Sequence, residues 1–64
     1  MTWELYEVWA EDDFGHEELI ETTNSRKEAL SIAEKTINEG MYFSVYITRE
    51  TQDGSYDEIE RLTA

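Results

Sequence analysis

Only one stretch of this chain has the spacing of a helix, and that leaves the rest to build a sheet. Ser25-Arg26-Lys27-Glu28 has the S-x-x-E spacing of a capping box. In that motif Ser25 accepts from the backbone N–H of Glu28, and Glu28 reaches back to the N–H of Ser25. Behind it, Ala29, Leu30, Ile32, Ala33, Thr36 and Ile37 recur at helical spacing and form one stripe. Gly40 supplies the left-handed position that closes a helix. The small Ala29 and Ala33 lie mid-stripe, where a helix can settle close onto a sheet.

The flanking segments read as strands. Residues 2–10 carry Trp3, Leu5, Tyr6, Val8 and Trp9 with no Pro or Gly. Residues 11–16 read as a turn around Gly15, and 17–23 as a weaker, heavily charged strand suited to an edge. Residues 41–49 alternate cleanly, with Met41, Phe43, Val45 and Ile47 on one face and Tyr42, Ser44, Tyr46 and Thr48 on the other. Asp53-Gly54 predicts a two-residue hairpin turn into a last strand at 56–62. That register sets Val45 opposite Leu62, Tyr46 opposite Arg61 and Arg49 opposite Glu58. It also sets Glu50 against Asp57, an unfavourable pair. The expected fold is α+β, a single domain over 1–64. Its order is ββαββ, and a right-handed crossover gives a four-stranded antiparallel sheet ordered 2-1-3-4 with the helix on one face.

Charge sets the expected surface. Sixteen Asp and Glu against five Lys and Arg give a formal net charge of −11 over 64 residues. Direct binding to nucleic acid or to an anionic membrane runs on Lys and Arg, so both are excluded as expectations, and a partner with a basic surface is favoured. High charge can signal disorder. Here 39% of the residues are hydrophobic and eight are aromatic, which argues for a folded domain. There is no Cys, so neither disulfides nor thiolate metal sites can help stabilise so short a chain. With no basic n-region and no long apolar run, a cytoplasmic protein is expected.

The two faces of the first strand differ. Trp3, Leu5, Glu7 and Trp9 share one, and Glu4, Tyr6, Val8 and Ala10 the other. An unpaired carboxylate in the middle of a buried face costs several kcal/mol, so the face holding Glu7 is expected to stay open. Tyr6, Val8 and Ala10 then lie under the helix beside Phe43 and Val45, and Trp3, Leu5, Trp9, Tyr42 and Tyr46 lie on the uncovered face. Burying both tryptophans under the helix is the opposite arrangement, and it leaves a plainer surface. A glutamate-ringed aromatic patch marks a contact site, because Trp and Tyr are the residues that form interface hot spots.

No constellation for catalysis stands out. His16 is the only His and sits in a turn, and there is no phosphate-cradling Gly-rich loop. The carboxylates of residues 11–18 do not have the alternating spacing of a calcium loop, so no metal and no cofactor is expected. Eight of the sixteen acids fall in residues 1–21, and no Lys or Arg precedes Arg26, so the first hairpin carries one sign of charge. The candidate partner-binding residues are Trp3, Glu7, Trp9, Glu11, Asp12, Asp13, Glu17, Glu18, Tyr42 and Tyr46. The helix entry Ser25-Arg26-Lys27-Glu28-Ala29-Leu30-Ser31-Ile32-Ala33-Glu34, following an acidic strand, resembles the corresponding stretch of the short phage inhibitor of bacterial RNA polymerase. In size, acidity and layout the chain is similar to small phage-encoded inhibitors at large, anti-CRISPR proteins and DNA-mimic nuclease inhibitors among them. The resemblance is one of class and assigns no residue a role. It implies a non-catalytic inhibitor from a phage or mobile element that docks on the basic surface of a nucleic-acid-binding enzyme. A second expectation is an accessory protein or a homodimer whose open sheet faces pack together.

Overall fold

The computed structural model describes residues 2–64. Strands β1 (Glu4–Glu11) and β2 (Glu17–Thr23) form a hairpin, and helix α1 (Arg26–Asn38) crosses over. Strands β3 (Ser44–Thr51) and β4 (Tyr56–Thr63) form a second hairpin. All pairings are antiparallel, and the sheet order is β2-β1-β3-β4, as expected from the sequence. The sheet is open, with the helix on one face.

The helix forms where its capping and stripe dictate. Ser25 Oγ accepts from Glu28 N at 3.2 Å. The return bond of a capping box is not made: Thr23 Oγ1 takes the Ser25 N–H at 3.1 Å instead. Gly40 closes the helix with φ of 78°, its N–H donating to Ile37 O at 3.2 Å. Ala29 and Ala33 are fully buried, which lets the helix lie close to the sheet. With Tyr6, Val8, Ala10, Val45 and Ile47 they form the core, and Ile20, Ile32, Ile37, Tyr42, Ile59 and Leu62 pack around it. Leu30, at the margin of the stripe, remains 37% exposed.

Each edge strand carries one extra residue. On β2, Ile20 falls between Leu19, which pairs with Trp9, and Glu21, which pairs with Val8. On β4, Ile59 falls between Glu58, opposite Thr48, and Glu60, opposite Ile47. Both isoleucines pack against the core. A bulge of this kind lets a mostly polar edge strand contribute one apolar side chain, and it bends the edge so that further strands pair poorly. The β4 bulge also corrects the expected register. Val45–Leu62 and Tyr46–Arg61 stand, but Arg49 faces Asp57 rather than Glu58, and Glu50 faces Tyr56. The like-charge pair of Glu50 and Asp57 is thereby avoided.

The β3–β4 hairpin closes between Thr51 and Ser55 around three residues, Gln52 to Gly54, not two. Thr51 N donates to Ser55 O at 3.0 Å, and Gly54 N donates to Thr51 O at 3.0 Å, with Gly54 at φ 93°. The first hairpin turns in the same way, through Asp12 N to His16 O at 3.0 Å and Gly15 N to Asp12 O at 3.2 Å. A three-residue loop of this form needs a left-handed residue at its third position, and Gly adopts it without a Cβ clash. No helix among the described residues is long and apolar enough to cross a membrane.

Candidate functional site

The uncovered face of the sheet is ordered in cross-strand rows. One row runs Leu19, Trp9, Tyr46, Arg61. On one side of it lies Glu17, Glu11, Ser44, Thr63, and on the other Thr22, Glu7, Thr48, Glu58. An aromatic stripe is therefore bounded by two acidic ones. The Trp9 and Tyr46 rings are nearly parallel, 9° apart with centroids at 6.5 Å, and the Arg61 guanidinium lies 4.7 Å from the centre of the Tyr46 ring. Trp9 and Tyr46 are only half-exposed, and Arg61 is exposed, while Ser44 and Thr48 in the flanking rows are buried. Leu19 and Tyr56 are the exposed apolar groups of this face.

A shortage of cations shapes the hydrogen bonding. Each of the four tyrosines donates its hydroxyl to a glutamate: Tyr6 to Glu4, Tyr42 to Glu18 at 2.6 Å, Tyr46 to Glu17 at 3.0 Å and Tyr56 to Glu7 at 2.9 Å. Glu7 Oε1 also accepts from Thr48 Oγ1 at 3.1 Å and from Trp9 Nε1 at 3.4 Å. Neutral donors thus solvate carboxylates that have no base to pair with. The carboxylates hold the phenol protons in return. The bond to Glu4 raises the pKa of Tyr6, and that to Glu18 raises Tyr42. Burial, reinforced by Glu17, pushes Tyr46 up to about 12. Among the described residues the ion pairs join Arg61 to Glu58 (2.7 Å) and Glu11 (3.7 Å), and His16 Nδ1 lies 3.3 Å from Asp12 Oδ2.

The candidate residues divide into three groups. Glu7, Trp9, Glu11, Glu17 and Tyr46 come together on the open face, with Asp12 and Asp13 in the adjoining turn. Tyr42 and Glu18 do not join them. Strand β3 begins only at Ser44, so Tyr42 escapes the strand alternation, packs against the core and meets Glu18, which pairs with the core residue Ala10. Phe43 is correspondingly displaced from the core and is 48% exposed. Its N–H donates to Glu11 O at 3.0 Å, and its ring lines a hollow with Glu11, Asp12, Asp13 and Gly15. Trp3 precedes β1 and lies at the other end of the sheet. There it lines a shallow concavity of about 800 Å³ with Glu4, Arg49, Thr51, Asp53 and Asp57. Arg49 Nε is buried without a hydrogen-bond partner among the described residues.

Asp12 and Asp13 look alike in the sequence but differ in role. Asp12 Oδ1 accepts from Phe14 N at 2.9 Å and His16 N at 3.0 Å, and the His16 backbone N–H leads in holding its pKa below the ordinary value. Asp12 therefore builds the turn. Asp13 is exposed and makes no side-chain bond among the described residues, so its charge is free for a partner. No group of three or more His, Asp or Glu among the described residues is gathered closely enough to hold a metal ion. Sequence reasoning missed Phe14, 85% exposed in the acidic turn, and Met41, 72% exposed just after the helix. An aromatic at the tip of a charged turn was the available signal. Comparison with family models, curated proteins and solved structures returns no match, so the functional reading rests on this geometry.

Proposed function

We propose that this chain is a non-catalytic, acidic protein-binding domain that docks on the basic surface of a nucleic-acid-binding enzyme and inhibits it, as a DNA mimic or anti-CRISPR-type inhibitor does. The observation that carries this reading is the concentration of carboxylates at one end of the sheet. Glu11, Asp12, Asp13, Glu17 and Glu18 follow one another around the first hairpin, and Arg61 is the one Lys or Arg paired with any of them among the described residues. Such a surface attracts a basic partner over a distance and sets its orientation. A homodimer through the open faces is disfavoured by the same feature, because the acidic rows flanking Trp9 and Tyr46 would meet like charge.

The test is competition. A basic enzyme retained by the immobilised domain and released by salt is mixed with a fluorescently labelled duplex that it binds. Addition of the domain should displace the duplex and abolish the anisotropy signal. A stable ternary complex of enzyme, duplex and domain would contradict the proposal.

A further inference from the structure

Three exposed apolar side chains stand in the turn and loop at the acidic end of the sheet, outside the core. Phe14, Met41 and Phe43 are 85%, 72% and 48% exposed. Phe14 sits on the β1–β2 turn, whose geometry is set by Asp12 and by Gly15 at φ 84°, not by the phenylalanine ring. Phe43 is held through its backbone, its N–H on Glu11 O at 3.0 Å and its carbonyl accepting from Ala64 N at 2.9 Å. Met41 follows Gly40 and is separated from Phe43 by Tyr42 alone. The pairing of Glu11 with Ser44 puts the turn and this loop at one end of the sheet. The turn is braced by four hydrogen bonds around Asp12, so Phe14 is presented on a stiff support, and little conformational freedom is lost when it binds. Three carboxylates accompany these groups: Asp13 is the immediate neighbour of Phe14, Glu18 accepts at 2.6 Å from the hydroxyl of Tyr42, which lies between Met41 and Phe43, and Glu39 caps the helix two residues before Met41.

We propose that this end is the docking tip of the domain, with Phe14, Met41 and Phe43 entering an apolar cleft on a partner protein whose rim is lined by Lys and Arg. The occupant is fixed by charge complementarity, since an acidic rim excludes an acidic cleft and disfavours a second copy of the chain. The inference rests on the protein-binding reading and adds the contact atoms and the end-on approach. Apolar contact supplies residence time, and the carboxylates supply the rate of encounter.

Two synthetic peptides of equal length and charge test it. One carries Lys with Leu at i, i+3 and i+4 spacing, and in the other Ser replaces Leu. The parent domain should bind the Lys/Leu peptide at least about tenfold more tightly than the Lys/Ser peptide, because only the former buries apolar surface. Phe14→Ser with Phe43→Ser should abolish that preference, keep the weak binding of the Lys/Ser peptide and leave the thermal midpoint within a few degrees. Leu19→Ser, on the open face, should keep the preference. Equal binding of the two peptides by the parent, or a preference that survives in the double variant, would overturn the tip. A preference lost only in Leu19→Ser would overturn it too, in favour of the open face. If the parent binds neither peptide at low salt, the acidic docking reading fails as well.

Discussion

At the scale of single residues, the chain answers an excess of carboxylates with phenols. Every tyrosine hydroxyl is given to a glutamate, so the tyrosines serve both packing and charge solvation. This has a consequence for pH. An unfolded phenol ionises near ~10. The folded pKa values of Tyr6, Tyr42 and Tyr46 lie higher, at about 12 for Tyr46. Their contribution to stability is therefore complete below the unfolded value and is lost as pH rises through the folded ones. Circular dichroism followed with phenolate absorbance should show unfolding and tyrosine ionisation together between roughly pH 10 and 12. Ionisation of Tyr6, Tyr42 and Tyr46 near the ordinary phenol pKa with the fold intact would show that their glutamate bonds are not held in solution. Tyr46→Phe should cost about 0.5–1.5 kcal/mol in a denaturant melt, the ordinary value of one hydrogen bond. Ile47→Ala, at 1% exposure in the core, should cost roughly 2–4 kcal/mol. Phe43→Ala should cost far less, because its ring lies outside the core.

At the scale of elements, the helix and the two turns are set by local chemistry, and the edges by tertiary packing. Ser25→Ala should lower stability by about 1 kcal/mol through the lost cap. Gly15→Ala should lower it by roughly 1–2 kcal/mol, since φ of 84° is costly for a residue with a Cβ. A melt in which Gly15→Ala matched the parent would mean that the turn relaxes to another form. The helix limits, the sheet order and the buried face of β1 were all legible, because they follow from periodicity, from Gly40 and from the cost of burying Glu7. The bulges at Ile20 and Ile59 were not. An extra residue in an edge strand leaves no mark on a short alternating pattern, and only the pull of the core on one isoleucine selects it. The exchange of Tyr42 and Phe43 is hidden for a related reason: the alternating pattern of 41–49 starts three residues before β3 does, in a loop where Glu18 draws the tyrosine hydroxyl. The tyrosine–glutamate bonds in which Tyr42, Tyr46 and Tyr56 take part span 24, 29 and 49 residues, beyond the reach of any local pattern.

At the scale of the molecule, a net charge of −11 on a 64-residue domain is a standing source of self-repulsion. Raising NaCl from 10 to 500 mM (roughly a 30 to 4 Å screening length) should therefore raise the melting temperature. The same salt should weaken association with a basic partner. The pair of responses separates a functional charge from one that only confers solubility, since the latter gives the first effect without the second. The candidate site was partly legible at this scale: the acidic hairpin and Trp9 were, but Phe14 and Met41 were not, because exposed apolar groups in loops carry no periodicity. The most direct measurement is the association rate with a captured basic enzyme as a function of salt, for the parent and for Asp13→Lys with Glu39→Lys. Both positions are exposed and bear no structural bond through their side chains, unlike Asp12, whose replacement would undo the turn. The double variant should associate more slowly at low salt, lose most of its salt dependence and melt at the same or a higher temperature. If it associates as fast as the parent with the same salt dependence, the acidic end is not the docking surface.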